Sequence, residues 1–386
     1  MKGATVGGGM VAQRVRTVEI SGIRRMFEAA PAGAINLGLG EPDFEPPAEV
    51  IEAICGAVRN GMNHYGPSAG LGELRDRIAE RYRGRDPKTG RENVLVTGSG
   101  SEGLMAVAMA LYNPGDEVLV PNPGFVLYGP HARLMGATPI PYSLLERTGY
   151  LPDPEELEGL VTRRTRAIVV NSPSNPTGGV FPAKVVDRIV DLAERHDLTI
   201  VSDEVYEEIV YDRPFVSFWG RTDRAVIVNS FSKTLAMTGW RIGYLVASRA
   251  LALELNKMHY HIMACPPTPA QVGALAGLTS SQATVRGMVR EFRARRELVV
   301  RRLARIPGVE LVPPAGAFYV FPRFRWGRSS SEIAFALLRR GVITTPGDAF
   351  GSLGAEHLRI SFAASRANLE KGLGILGQYA TEVDSE

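Results

Sequence analysis

Asn229–Tyr244 reads NSFSKTLAMTGWRIGY, and the fold turns on how this stretch is placed. The apolar run Ala225–Val228 comes directly before it and reads as a buried strand. Ser230, Ser232 and Lys233 then fall where a strand gives out, the place where open α/β sheets hold their ligands. The chain has 44 basic residues, yet only six are lysine: Lys2, Lys88, Lys184, Lys233, Lys257 and Lys371. Of these, Lys233 alone lies in a small, hydroxyl-rich, apolar setting. Burial disfavours an ammonium ion, so such a lysine loses its proton readily and its amine is freed to attack a carbonyl. The hydroxyls beside it, with Arg241 eight residues on, suit a phosphate ester. Taken by itself the string is equally a surface lysine after a strand, and the rest of the chain decides.

A length of 386 residues suits two domains, or one large domain with a smaller appendage. The 45% apolar fraction and a mean hydropathy of -0.03 describe a soluble globular protein with an ample core. A net charge of +3 is too small for a nucleic-acid footprint, and no basic cluster carries interleaved aromatics. Cys55 and Cys265 sit in unrelated contexts, so neither a disulfide framework nor a zinc site is expected. No apolar run approaches the length of a membrane span, and the glycine-containing N-terminus has no apolar core of a signal peptide. The expected location is the cytoplasm, with no membrane and no nucleic-acid partner.

Outward from the lysine, short apolar runs alternate with helical patterns. A helical pattern at Ile23, Met26 and Phe27 is followed by Ile35–Gly40, and Pro46-Pro47 opens a helix with Val50, Ile51, Ile54 and Val58 at helical spacing. A glycine-rich loop, His64–Gly72, precedes a helix over Leu74–Tyr82. Strands are expected at Val94–Val96, Val118–Val120, Ala167–Val170, Leu198–Val201, Ala225–Val228 and Tyr244–Ala247, with helices after Ser101 and near Ala183–His196. These strands are continuous apolar runs without polar alternation, the mark of a mostly parallel sheet covered by helices on both faces. A long arginine-rich helix from about Val272 to Arg305 leads to strand Ala317–Phe321, helix Ser331–Arg340 and strand Leu358–Phe362, a smaller α/β unit. The expected organisation is an N-terminal segment, 1–45, packing with the small domain, then a large domain, 46–280, and a C-terminal small domain, 281–386.

Four polar groups fall at the ends of consecutive strands, and together they suit one cofactor. An aldehyde that bears a phosphate is pyridoxal phosphate. Its phosphate wants backbone donors at a helix start, which Ser99-Gly100-Ser101 supplies, though the triplet alone is also an ordinary capped loop. Its ring nitrogen needs a buried carboxylate to stay protonated, and Asp203 ends the Leu198–Val201 run. Tyr206, three residues on, and the amide of Asn175 are placed to donate to the ring's phenolic oxygen. Asn175 belongs to Asn171-Ser172-Pro173-Ser174-Asn175-Pro176-Thr177-Gly178, an unusually specific string. Arg359, in His357-Leu358-Arg359-Ile360-Ser361, is a planar bidentate donor suited to a carboxylate. Glu41, Glu204 and His64 read as structural.

From about Ile35 to Phe362 the chain resembles the fold-type I, class I/II aminotransferases, of the aspartate and aromatic kind. Asn175–Gly178 matches the family's NPTG loop, Asp203 and Tyr206 its aspartate–tyrosine pair, and Ser230, Ser232, Lys233 and Arg241 its lysine motif. Arg359 matches the arginine that binds the substrate carboxylate. Gly40 matches the glycine whose amide faces that carboxylate. Tyr65 matches a tyrosine that reaches the phosphate from the partner subunit, so the resemblance implies a homodimer with shared sites. It also implies that an amino group moves from an L-amino acid to a 2-oxo acid such as 2-oxoglutarate, with Lys233, Asp203 and Tyr206 catalytic and no metal. Where aspartate-specific relatives commonly stack a tryptophan on the cofactor, this chain has Phe125. The phosphate loop has Ser101 rather than a lysine, and His259-Tyr260-His261 holds no arginine, so neither familiar device for an acidic side chain is visible. β-Elimination and decarboxylation share all these motifs and remain the alternative reaction. A regulator with an N-terminal DNA-binding module is disfavoured, since only about thirty residues precede Ile35 and such a module needs roughly sixty.

Overall fold

The computed structural model describes residues 11–18, 26 and 30–383. Of the helical pattern at Ile23, Met26 and Phe27, only Met26 is among them, and it is buried. After a two-residue strand, β1 (Ile35–Asn36), the chain builds a seven-stranded sheet. Its strands are β2 (Val94–Thr97), β3 (Glu117–Asn122), β4 (Thr138–Ser143), β5 (Thr165–Asn171), β6 (Thr199–Asp203), β7 (Ala225–Ser230) and β8 (Gly243–Val246). Their order across the sheet is β2-β8-β7-β6-β5-β3-β4. β8 runs antiparallel to both neighbours, β2 and β7, and every other pairing in this sheet is parallel.

Because a strand turns alternate side chains to opposite faces, a sheet covered on both sides needs apolar residues at every position. The sequence supplies this. Ile168, Val170, Ile200, Ala225 and Ile227 pack into the core on one face, and Ala167, Val169, Val201, Val226 and Val228 into the core on the other. β4 has no such signature. Its TPIPYS sequence carries two prolines, which cannot donate to a ladder, and it lies at the sheet edge beside β3 alone.

The parallel strands and β2 all end at one edge, at Thr97, Asn122, Ser143, Asn171, Asp203 and Ser230, and antiparallel β8 begins there at Gly243. That edge carries the site. Past the sheet, the expected single long helix is two, Thr268–Ser280 and Gln282–Leu303. Ser281 lies between them with φ -93° and ψ 14°, its hydroxyl donating 2.6 Å to Glu49 Oε1. On the helix Ala48–Arg59, Val50 and Ile54 are buried as expected, whereas Ile51 and Val58 face outward.

A third core gathers Phe292, Phe318, Tyr319, Phe324, Leu337, Ile360 and Phe362 with Ile35 and Leu37. It is stitched by short pairs: β9 (Val309–Glu310) with β11 (Arg323–Phe324), and β10 (Tyr319–Val320) and β13 (Thr345–Pro346) on either side of β14 (Leu358–Ser361). β12 (Val342–Ile343) pairs in parallel with β1. The apolar run Ala317–Phe321 is a strand only at Tyr319–Val320, since Ala317 adopts φ +55°, outside the extended region. The C-terminal helix Arg366–Val383 closes this core with Leu369, Leu373 and Leu376.

Candidate active site

A cavity of about 230 Å³ opens at the strand-end edge. It is lined by Gly40, Ser99, Gly100, Ser101, Phe125, Asn175, Asp203, Tyr206, Ser230, Ser232, Lys233, Arg241 and Arg359, all singled out in the sequence, together with Leu104, Asn171, Val205 and Tyr319. Residues up to 319 positions apart thus meet in one place because consecutive strands end side by side.

One end of the cavity is built for an anion. Ser99 caps the twelve-residue helix Gly100–Leu111, its hydroxyl accepting from Glu102 N at 3.0 Å, and Ser99, Gly100 and Ser101 of this helix start line the cavity. Gly243 packs so closely on this turn that a Cβ there would lie 2.7 Å from Gly100 N, and any side chain would push β8 off. Ser230 Oγ donates to Ser232 Oγ (2.9 Å), and the Ser232 amide donates back to Ser230 Oγ (3.1 Å). Arg241 stands at the same end with φ +53°, a left-handed conformation that a non-glycine residue adopts only where its surroundings impose it. Its Nη1 donates 2.8 Å to Thr238 O.

In the middle, the Lys233 amine donates 2.6 Å to Gly40 O. Burial is the main force on its proton and holds the ammonium down to about 8, with Arg359 and Arg241 adding repulsion against the opposing pull of Glu41 and Asp203. Asp203, buried at the end of β6, is moved the other way. Desolvation raises its carboxyl to about 6, in spite of the Tyr128 hydroxyl, which donates 2.7 Å to Oδ2, and the Val205 amide, 3.3 Å from Oδ1. Among the described residues, the Asp203 carboxylate has no cationic partner in contact. Glu204, the next residue, points away into the protein. It accepts from Ser202, Ser217 and the Phe218 amide, which fits the structural part expected of it.

The far end is an arginine box. Arg359 is buried on β14 between the Tyr319 and Phe350 rings, 4.6 and 4.9 Å from its guanidinium carbon. Nη1 donates 3.0 Å to Asn175 Oδ1, Nη2 to Gly38 O and, at 3.3 Å, to Thr345 Oγ1, and Nε has no partner. Among the described residues it has no salt bridge. A buried cation costs several kcal/mol unless an anion meets it, so this geometry fits an acidic ligand group. Asn175 is delivered by a loop in which Gly178 takes φ +70° with Pro314 where a Cβ would stand. Its Oδ1 is taken by Arg359, which leaves its amide hydrogens for the cavity.

Two functional neighbours were not read from the sequence. Tyr128, on the short helix Tyr128–Leu134, orients Asp203. Tyr319 bonds Tyr206 hydroxyl to hydroxyl at 2.8 Å and lies over Arg359. A tyrosine three residues after Phe125, and a tyrosine in a phenylalanine-rich strand, were the available signals. Tyr65 does not line the cavity of its own chain and is 89% exposed. Thr238 donates to Glu41, and the described residues hold no group of three or more histidine, cysteine or acidic side chains that could bind a metal.

Residues 32–376 match the family model for aminotransferase class I and II. The chain belongs to that family. It is 41% identical over 374 residues to a probable aspartate aminotransferase of Methanocaldococcus jannaschii, covering 95% of this chain and 99% of the relative. It is 38% identical to aromatic-amino-acid aminotransferase 2 of Thermococcus litoralis, with 94% and 96% covered. Its fold superposes on alanine aminotransferase from Pyrococcus furiosus with a TM-score of 0.92, 32% identity, and 96% and 100% covered. The chain is thus a fold-type I transaminase: it moves the amino group of an L-amino acid to a 2-oxo acid.

Proposed function

We propose that this transaminase works with pyridoxal 5′-phosphate on Lys233, as a cytoplasmic homodimer, and accepts neutral and aromatic as well as acidic amino donors. The observation that carries the reading is Arg359, a buried guanidinium with an unpartnered Nε, in one cavity with a deprotonable lysine and a desolvated aspartate. The donor set fits the cofactor at each point. Ser99, Gly100, Ser101, Ser230, Ser232 and Arg241 offer amides, hydroxyls and a cation to its phosphate, Asp203 a carboxylate to its ring nitrogen, and Phe125 and Val205 apolar surface to its ring. When bound, pyridoxal phosphate supplies the electron sink that labilises bonds at the amino-acid Cα.

The chain's own residues do the rest. Arg359 holds the α-carboxylate as a bidentate donor, with the Gly40 amide beside it, and so fixes the direction of the Cα–H bond. Lys233 holds the cofactor and, once its amine is free, takes the proton at Cα. A lysine held near 8 accepts and returns a proton in the neutral range far more readily than one at the ordinary 10.5. Asp203 keeps a proton on the ring nitrogen, and Tyr128 keeps Asp203 in place. Tyr206, braced by Tyr319, and the Asn175 amide set the ring's tilt. Two outward-facing apolar residues, Ile51 and Val58, with Tyr65 beyond them, form the surface proposed for the partner subunit, whose phosphate site Tyr65 would complete. The division into 1–45, 46–280 and 281–386 stands as part of the same reading.

Breadth of donor follows from charge. Among the described residues, Arg241 and Arg359 are the only guanidiniums on the cavity, and both have proposed duties at the phosphate and the α-carboxylate. A bidentate arginine contact to a side-chain carboxylate would be worth roughly 1.5–3 kcal/mol, tenfold to a hundredfold or so. Without one, aspartate should not exceed the best aromatic or aliphatic donor by more than about a hundredfold in kcat/KM. Steady-state kcat/KM for aspartate, tyrosine, phenylalanine, alanine and leucine with 2-oxoglutarate tests this. A preference for aspartate of about a thousandfold or more would mean that another cation enters the site.

A further inference from the structure

His259 has no part in the chemistry above, yet it is fully buried and bonded at both ring nitrogens. It sits on the helix Arg249–Met263. Nδ1 lies 3.1 and 3.2 Å from the two carboxylate oxygens of Glu102, and Nε2 lies 3.0 Å from Ser68 O. A carbonyl only accepts, so Nε2 carries a proton. Nδ1 faces the Glu102 carboxylate, which already accepts from the Gly98 amide, so Nδ1 meets an acceptor as well and carries the other proton: the pair is imidazolium with carboxylate.

Glu102 is part of the anion-binding turn. It follows Ser101 directly, its amide is capped by Ser99, and its Oε2 accepts from the Gly98 amide at 3.1 Å. Through its carboxylate at Gly98 and its amide at Ser99, Glu102 thus ties together the Gly98–Ser101 turn, of which Ser99, Gly100 and Ser101 line the cavity. A carboxylate in the first turn of a helix is also drawn to the same positive end as an incoming phosphate, and two anions there repel. His259 cancels that charge from below. On its other side it fixes Ser68, which Asn256 Nδ2 also holds, at 3.2 Å from Ser68 Oγ.

We propose that the His259–Glu102 pair is a positioning and charge-compensating device for the cofactor phosphate: Glu102 shapes the turn, and His259 keeps the turn free of net negative charge. This rests on the pyridoxal-phosphate reading above. It concerns the phosphate alone, and so a ligand without one should not feel it.

Apoprotein is titrated with pyridoxal 5′-phosphate and, separately, with pyridoxal, for wild type, His259→Leu, Glu102→Gln and the double variant. His259→Leu should weaken pyridoxal phosphate about tenfold to a hundredfold and leave pyridoxal within about threefold, the range of one lost charge-assisted contact. Glu102→Gln should bind pyridoxal phosphate at least as tightly as wild type, and the double variant should recover most of the loss. Equal loss for both ligands, no loss for either, or a double variant as weak as His259→Leu would overturn the proposal. Should His259→Leu not fold, Glu102→Gln still decides: weaker pyridoxal phosphate binding with pyridoxal unchanged would contradict charge compensation. A wild-type protein that binds neither ligand would instead strike at the cofactor reading itself.

Discussion

Replacing Asp203 by asparagine keeps the shape of the side chain and removes its charge. In the cofactor-free protein, burial lifts this carboxyl from 3.8 to about 6, which makes its ionised form about 3 kcal/mol less favourable than in water. A cationic ring nitrogen brought against it removes that penalty, and the ion pair is worth at least as much to the bound cofactor. A charge-assisted hydrogen bond adds about 1.5 kcal/mol more. At 1.36 kcal/mol per factor of ten, the asparagine variant should lose on the order of a thousandfold in the rate of the amino-acid half-reaction. Tyr128 still has an oxygen to donate to, so the fold around the site should hold. Single-turnover absorbance changes with a saturating amino acid report the half-reaction apart from product release. Activity within about tenfold of wild type would refute the role, because no electrostatic partner of this kind is that cheap to lose.

The same aspartate makes a prediction for the protein without cofactor. Asp203 ionises near 3.8 in the unfolded chain and near 6 in the folded one, so the folded state binds more protons between these values and loses stability as pH rises through them. Apo Asp203→Asn should therefore be more stable than apo wild type above pH 6, by up to about 3 kcal/mol, with the advantage fading toward pH 3.8. Urea unfolding at both ends of that window checks this, and an advantage independent of pH would contradict it. The exposed Tyr65 predicts that the active species is a dimer with each site completed across the interface. Light scattering at assay concentration that finds an active monomer would dismiss it.

The site was legible where chemistry sits at the end of an apolar run. Lys233, Asp203, Ser230 and Asn175 could be found because strand ends in a parallel sheet share one edge. Arg359 stood out as an arginine inside a short apolar strand. What the sequence hid was contact between residues far apart along the chain. Nothing in the spacing says that Tyr128 meets Asp203, 75 residues on, or that Tyr319 meets Tyr206. His259 was read only for the arginine it is not, and its pairing with Glu102 spans 157 residues. β4 escaped because its prolines disguise an edge strand, and the break at Ser281 escaped because one serine in a long helical pattern gives no warning.

The central claim is that Lys233, alone of six lysines, holds pyridoxal phosphate and turns over an amino group. Borohydride reduction of the cofactor-loaded protein, followed by peptide mass spectrometry, tests it most directly. The account predicts one labelled peptide, the one that contains Lys233, and loss of that label when an amino acid is added before the reductant. Label on another lysine, or label that an amino acid does not displace, would contradict it.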